Sequence, residues 1–160
     1  MTDVSGAVFT AVDEPALAAI ASSLAAPLGT GGVVHLHGSL GAGKTTFARA
    51  LLRAMGVGER IKSPTYTLIE TYTLADLSVH HLDLYRIAAA DELEWLGLRD
   101  LASGPQLWLI EWPERVGDAI PAPDLIVDLT HAGAFRDMHL RPITSAARQW
   151  LSTAALPNRA

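Results

Sequence analysis

The stretch VVHLHGSLGAGKTTFARALL, residues 33–52, decides the fold of this chain. Its beginning predicts a short buried strand, its middle is a glycine-rich loop, and from Lys44 onward its apolar residues recur at helical spacing. Residues 38–45, GSLGAGKT, match the pattern G-x-x-x-x-G-K-[ST] at every fixed position. A strand before such a loop and a helix after it are the context in which the pattern binds phosphate. The sequence therefore predicts a nucleotide-binding P-loop.

Each fixed residue type of the loop has a chemical reason. Glycines at positions 38, 41 and 43 let the backbone turn its amides inward, where they and the helix N-terminus form a nest for phosphate oxygens. Lys44 is expected to reach the β- and γ-phosphates of ATP, and the Thr45 hydroxyl to coordinate Mg²⁺. The predicted nucleotide-binding residues of the loop are Gly38, Gly41, Ala42, Gly43, Lys44, Thr45 and Thr46.

Glu111 is the best candidate for the acid that a P-loop needs to organise Mg²⁺ and water. It follows the apolar run LWLI, residues 107–110, which predicts a buried parallel strand. Such a strand delivers its last side chain to the sheet edge where ligands bind. We therefore predict Glu111 to be a magnesium ligand at a strand end, outside the apolar core. The alternative is a capping or salt-bridged glutamate just past a strand.

Asp83 is the second acid of interest. In HHLDLYR, residues 80–86, it stands between two leucines, where a strand favours apolar or β-branched residues, and it shares a face with His81 and Tyr85. A carboxylate there could orient water or Mg²⁺. The alternative is a structural aspartate paired with Arg86. Lys44, Asp83 and Glu111 form the predicted catalytic set.

Strands and helices alternate along the rest of the chain. This pattern predicts a single α/β domain over residues 1–160, with a mixed, mostly parallel sheet flanked by helices and a core over about residues 7–143. The short joint at residues 74–77 predicts an antiparallel hairpin. Predicted strands cover residues 7–12, 33–37, 66–73, 78–85, 107–110, 125–129 and 138–141. Predicted helices cover residues 13–26, 44–55, 91–101 (broken at Gly97) and 145–151, with a frayed tail over about 155–160.

Composition narrows the function classes. The chain has 160 residues, 49% hydrophobic and 18% charged, which is typical of a globular protein. It has no cysteine, which excludes disulfides and thiolate zinc sites. No apolar run approaches the roughly 18 residues of a membrane span, and the N-terminus lacks signal-peptide character, so we expect a soluble, cytoplasmic protein. The net charge of −5 argues against autonomous binding to nucleic acid.

Other chemistry-bearing residues give weaker signals. His35 and His37 share a strand face, but no third ligand at a familiar spacing accompanies them, so ordinary strand histidines are favoured over a metal site. Trp95, Trp108 and Trp112 are interpreted as packing residues or interface anchors. Arg136 follows Phe135 in a turn-rich segment, and the residues alone favour a solvated surface position.

Five blocks together resemble the TsaE (YjeE) family, bacterial P-loop ATPases of tRNA threonylcarbamoyladenosine biosynthesis. The resemblance spans about residues 10–130, and the Ser-Pro-Thr-Tyr-Thr-Leu and Asp-Leu-Tyr-Arg blocks separate this family from other P-loop proteins. The blocks are GSLGAGKTTFARALL from residue 38, KSPTYTLIETYTL from 62, HHLDLYRI from 80, DELEWLGLRD from 91 and IEWPERV from 110.

The resemblance implies roles that composition cannot show. It implies Mg²⁺-dependent hydrolysis of ATP to ADP and phosphate, with Thr45 and Glu111 as magnesium ligands and Asp83 as a catalytic or metal-organising residue. It makes residues 63–65, Ser-Pro-Thr, a switch-like segment. It also implies three nucleotide contacts outside the loop, at Asp13, Glu114 and Arg136.

The resemblance further implies two partner proteins. TsaB and TsaD install threonylcarbamoyl on the adenosine beside the anticodon in tRNAs that read A-starting codons, whereas TsaE hydrolyses ATP within the assembly and meets tRNA only indirectly.

Two other classes of protein share the P-loop: a small-molecule or nucleotide kinase, and a nucleotide-gated binding module with negligible turnover. Kinases usually add a mobile lid with arginines, and this chain has only a tight joint at residues 74–77.

Overall fold

A mixed β-sheet runs through the chain and carries helices against it. The structure is a computed structural model that describes residues 6–97 and 104–157. Within these residues the sheet has seven strands in the order β1-β7-β6-β2-β5-β4-β3. The strands are β1 Ala7–Val12, β2 Gly32–Gly38, β3 Ile69–Leu74, β4 Leu77–Asp83, β5 Gln106–Glu111, β6 Leu125–Ala132 and β7 Phe135–Pro142.

Parallel pairing occupies the centre of the sheet. Strand β2 lies between β5 and β6 and is parallel to both, and β5 is also parallel to β4. The outer pairs β1–β7, β6–β7 and β3–β4 are antiparallel. The predicted α/β class, with its mixed sheet and its hairpin at residues 74–77, is therefore confirmed. The carboxyl ends of β4, β5 and β2 meet at one edge of the sheet.

The α-helices of the described residues are α1 Glu14–Ser23, α2 Lys44–Ala54 and α3 Ser145–Thr153. Two of them begin at side-chain caps, because Asp13 accepts from the Ala16 amide and Thr144 from the Ala147 amide. The predicted helix over residues 91–101 is a 3-10 helix, Ala90–Leu96, that ends at Gly97, and its remaining residues lie outside the described ranges. No helix of residues 6–97 and 104–157 is long and apolar enough to cross a membrane.

Alternation along β5 separates two apolar clusters on opposite faces of the sheet. Leu107 and Leu109 belong to the larger cluster, with buried residues of all three α-helices, whereas Trp108 and Ile110 belong to the smaller one. Both faces of β5 are therefore covered, which explains why its sequence is a continuous apolar run.

The predicted start of β3 is wrong. The prediction placed a strand from Tyr66, but residues 64–67 form a turn in which the Leu68 amide donates to the Pro64 carbonyl at 2.8 Å. Leu68 has a φ of 66°, so the chain leaves the turn in a left-handed conformation and the strand begins at Ile69. The β-branched and aromatic residues at 65–67 resemble a strand in propensity, but this local hydrogen bond removes them from the sheet.

Asp124 ties three elements together just before β6. Its Oδ2 accepts from the Val33 amide of β2 at 2.8 Å, and its Oδ1 accepts from the Thr144 hydroxyl at 2.9 Å. Its carbonyl accepts from the Ile143 amide at 2.7 Å. One side chain therefore fixes the entry of a central strand and the start of α3.

Asp124→Ala is expected to lower the free energy of unfolding by about 1.5–3 kcal/mol, because it removes two hydrogen bonds to a charged acceptor. Urea denaturation measures this change. The exposed Asp118 provides the matched control, and Asp118→Ala should stay within about 0.5 kcal/mol of the wild type. Equal effects of the two substitutions would contradict the assigned role.

Candidate nucleotide-binding site

A cleft of about 430 Å³ opens at the sheet edge where β2, β4 and β5 end. The P-loop forms one wall, and the ends of β4 and β5 form another. Most of the residues predicted from the sequence meet here, since the lining includes Gly41, Gly43, Lys44, Thr45, Thr46, Asp83, Glu111 and Arg136. Thr65 of the predicted switch-like segment also lines the cleft.

Gly43 shows why the loop needs glycine. Its φ is 113°, a conformation that L side chains rarely adopt, and a Cβ at this position would clash with Arg136 Nη1. The guanidinium of a late strand is therefore packed against the loop backbone. A side chain at position 43 would force this guanidinium to shift.

Lys44 is held by the loop that it follows. Its Nζ donates to the Gly38 carbonyl at 2.6 Å and to the Ser39 carbonyl at 3.0 Å, and it lies 4.0 Å from the ring centroid of Trp112. Burial lowers the pKa of this ammonium, and the nearby carboxylates, chiefly that of Glu111, oppose the shift. The charge is thus kept inside the cleft by carbonyls, a ring face and acids.

Glu111, the last residue of β5, is at the predicted strand end and lines the cleft, although only 2% of its surface is exposed. Both of its carboxylate oxygens have partners. Oε1 accepts from the Thr45 hydroxyl at 2.7 Å, and Oε2 lies 2.6 Å from His81 Nε2. The acid on β5 and the P-loop threonine on α2 are therefore in direct contact, as expected for two oxygens that share one cation.

Asp83 stands beside Glu111, because the two are register partners at the ends of β4 and β5. Its Oδ1 accepts from the Tyr85 amide at 3.1 Å, and burial raises the pKa of its carboxyl. The alternative pairing with Arg86 is not seen among the described residues, where the Arg86 guanidinium lies 4.8 Å from the Tyr66 ring centroid. Asp83 is left with an oxygen available to the cleft that it lines.

The donor set of the cleft fits Mg²⁺. A hydroxyl and two carboxylates are hard oxygen donors, and Mg²⁺ in nucleotide sites takes one or two of these together with phosphate oxygens. Within residues 6–97 and 104–157, no group of three or more His, Asp or Glu side chains forms a complete cage for a metal ion. The arrangement is suited to a cation that arrives with a nucleotide.

Comparison with known proteins decides the family. The family model described as "Threonylcarbamoyl adenosine biosynthesis protein TsaE" matches residues 11–138. The chain belongs to the TsaE family. A TsaE of Haemophilus influenzae is 39% identical over 120 residues, 75% of this chain and 76% of that protein. A TsaE of Bacillus subtilis is 37% identical over 115 residues, 72% of each chain.

A solved structure agrees with the TsaE assignment. The crystal structure of Bacillus subtilis YdiB superimposes with a TM-score of 0.71 at 25% identity, and the match covers 92% of this chain and 93% of that one. The names of the two TsaE relatives are both "tRNA threonylcarbamoyladenosine biosynthesis protein TsaE". The P-loop cleft described above therefore belongs to a TsaE-family chain.

Two contacts that the TsaE resemblance implies do not line the cleft. Asp13 caps α1, where its Oδ1 accepts from the Ala16 amide at 2.9 Å. The Oε2 atom of Glu114 lies 3.8 Å from His37 Nδ1, and the negative charge of this carboxylate favours a higher pKa for Lys44. Arg136 behaves in the opposite way: the residues alone favoured a solvated surface position, whereas the structure places it against the P-loop.

Sequence reasoning missed two residues of this TsaE site. His81 was noted only as a neighbour of Asp83, yet it holds Glu111. Trp112 was interpreted as a packing residue or interface anchor, but it lines the cleft beneath the Lys44 ammonium. Its φ of 59° is a left-handed conformation that a bulky residue rarely adopts, and such strain is common at functional sites. The WP dipeptide after an apolar run was the available signal.

Asp83→Asn is expected to stabilise the nucleotide-free protein near neutral pH, because burial raises the pKa of Asp83 and disfavours its charged form in the fold. A raised pKa means that the stability contributed by Asp83 is full below the ordinary aspartate pKa and is lost as pH rises through the raised value. The gain from the amide should therefore be largest at about pH 7.5 and fade towards pH 4.

Urea denaturation at both pH values measures the effect, with the exposed Asp118→Asn as control. A variant that is less stable than the wild type at neutral pH would show that the charged carboxylate stabilises the fold.

Proposed function

We propose that the chain hydrolyses ATP to ADP and phosphate in a Mg²⁺-dependent reaction. One observation carries the proposal: the P-loop threonine hydroxyl lies 2.7 Å from the carboxylate of Glu111, in a cleft that also holds Lys44 and Asp83. Phosphoryl transfer requires positioning and charge stabilisation more than covalent chemistry, and these residues supply both.

Each residue has a defined task in this reaction. The loop amides and Lys44 bind the phosphates, and Arg136, packed against the loop at Gly43, adds a second cation. Thr45 and Glu111 would hold Mg²⁺, which neutralises charge on the phosphate oxygens when it is bound. Asp83, whose pKa is raised by burial, orients the attacking water and accepts its proton.

The activity is proposed to serve tRNA threonylcarbamoylation of the adenosine next to the anticodon in tRNAs that read A-starting codons. Family membership and the names of the relatives support this role. The proposed partners are the TsaB and TsaD proteins, with tRNA met only through them, and the proposed compartment is the cytoplasm. The net charge of −5 agrees with indirect contact, since RNA binding is driven largely by neutralisation of phosphates.

Exposed apolar side chains around the cleft support docking of a partner on this face. Leu40, Tyr66 and Phe135 are 67%, 81% and 47% exposed. Leu40 lines the cleft, and each of the other two is adjacent in sequence to a lining residue. Leu40 in the cleft lining and Tyr66 against the cleft-lining Arg86 therefore offer exposed apolar surface beside the cleft, which is typical of interaction sites.

The kinase alternative has less support. A kinase needs an acceptor pocket and commonly a mobile lid, but β3 and β4 are joined through Ala75 and Asp76 alone. Family membership also favours the hydrolase. Transfer of phosphate from ATP to a small acceptor, rather than release of phosphate to water, would support the kinase instead.

Lys44→Ala and Thr45→Ala are each expected to reduce phosphate release by at least about 100-fold. The first removes charge stabilisation of the transferred phosphoryl group, and the second removes a magnesium ligand. Thr45→Ser, which keeps the hydroxyl, is the matched control and should retain most activity. Phosphate release is measured across a range of Mg²⁺ concentrations, and near-normal activity of Thr45→Ala throughout would argue against the metal site.

Hydrolysis by the chain alone is expected to be weak and to rise when TsaB and TsaD bind. Arg86 and Arg136 both line the cleft, but arginines supplied by another chain can raise phosphoryl-transfer rates by about 10³ to 10⁵. Titration of the purified partner pair against a fixed amount of this protein, with phosphate release as readout, measures the increase. A flat response, with complex formation verified by sizing, would favour a self-sufficient ATPase.

A further inference from the structure

His81 and Glu111 form a buried pair behind the cleft. The His81 Nε2 atom lies 2.6 Å from Glu111 Oε2, and the two side chains are 0% and 2% exposed. His81 does not line the cleft, so it meets no ligand there directly. Among the described residues, this carboxylate is the only hydrogen-bond partner of the His81 ring, because the ring Nδ1 has none.

The register of the parallel strands creates this pair. Asp83 of β4 faces Glu111 of β5, and His81, two residues earlier, points to the same side of the sheet. The shorter Asp83 side chain lines the cleft, while the His81 ring reaches Glu111 from beneath. One strand thus supplies both the acid that faces the ligand and the ring that holds the neighbouring acid.

The pair fixes the carboxylate in one orientation. Thr45 donates to Oε1 and His81 to Oε2, so neither oxygen can rotate without breaking a short hydrogen bond. A buried carboxylate without such donors would carry a large desolvation cost. The ring tautomer that carries its proton on Nε2 satisfies Glu111 and leaves a lone pair, rather than an unpaired N–H, on the shielded Nδ1.

We propose that His81 is a positioning residue for the magnesium site: its ring N–H holds Glu111 so that Glu111 and Thr45 present their oxygens to the Mg²⁺ of a bound nucleotide. The inference rests on the proposed function, because it concerns the same metal. Loss of a hydrogen-bonding partner behind a metal ligand typically weakens metal affinity by about 10- to 100-fold. His81 should therefore act on metal affinity and leave the phosphate nest intact.

The neighbouring histidine provides a matched control. His80 is equally buried, at 1% exposure, but points to the other face of the sheet, where its Nδ1 pairs with Thr71 Oγ1 at 2.9 Å and its ring lies 4.4 Å from Trp108. A substitution there disturbs the same strand without touching Glu111. Comparison of His81→Leu with His80→Leu therefore separates the metal effect from loss of stability.

The experiment measures binding of ADP, which avoids turnover, first in EDTA and then at rising Mg²⁺ concentration, with free Mn²⁺ followed by EPR in parallel. His81→Leu should raise the metal concentration at half-saturation at least about tenfold while ADP affinity in EDTA stays unchanged. His81→Gln, whose amide N–H can reach the carboxylate, should restore most of the affinity. His80→Leu should keep the wild-type midpoint.

An unchanged midpoint in His81→Leu, or an equal shift in His80→Leu, would overturn the proposal. So would wild-type ADP binding that does not respond to a divalent cation. If the leucine variants fail to fold, His81→Asn and His81→Gln give the same comparison, because the shorter amide cannot reach Glu111. A wild type whose metal affinity depends on His81 but which releases no phosphate would leave the positioning role standing and reject the hydrolase.

A readout without metal checks the contact itself. In the ¹⁵N-labelled, nucleotide-free protein, the His81 Nε2 proton should be downfield and protected from exchange with water, because it is hydrogen-bonded and buried. Glu111→Gln should move this signal strongly. A rapidly exchanging proton, or a signal that is insensitive to Glu111, would contradict the proposed hydrogen bond.

Discussion

The hydrogen bond between the Thr45 hydroxyl and Glu111 is the contact on which the site depends. It joins the first turn of α2 to the end of β5, and it exists only because β2 and β5 are parallel neighbours that end at the same edge. The loop after β2 must then turn sharply to bring the helix back over the sheet. The remaining features of the cleft are consequences of this geometry: Lys44 lies under the loop, and Asp83 comes level with Glu111 on the next strand.

The cleft concentrates charge where the protein interior tolerates it poorly. Lys44, Glu111 and Asp83 are each at most 9% exposed. Burial lowers the pKa of Lys44 and raises the pKa of Asp83, so it disfavours the charged form of each. Burial of such charged groups destabilises the folded state unless hydrogen bonds or opposite charges replace their contacts with water. Carbonyls, the Trp112 ring and the pair of donors on Glu111 give part of that compensation. Bound phosphates and a bound cation would supply the opposite charges that these three buried groups still lack.

Sequence reasoning predicted the parts of the site that are local in the chain. The P-loop, the start of α2 and the position of Glu111 at a strand end all follow from spacing and propensity over fewer than ten residues. Reasoning from the residues alone failed where the outcome depends on which strands become neighbours, although the family resemblance had implied a nucleotide contact at Arg136. Arg136 reaches Gly43 because β7 lies two strands from β2, and His81 reaches Glu111 because β4 pairs with β5 in one register. Neither strand order nor register can be derived from a single sequence, since both are set by long-range packing.

The sheet order has a consequence for synthesis of the protein. Strand β1 pairs with β7, whose residues come more than a hundred positions later in the chain. Until then the N-terminal strand has no antiparallel partner, and Arg136 is not yet present beside the loop. The emerging chain therefore carries a P-loop with an incomplete wall, and an edge without its neighbour, until β7 has been synthesised. Because long-range closure is slow relative to local folding, assembly of the nucleotide cleft is expected to be a late step of folding.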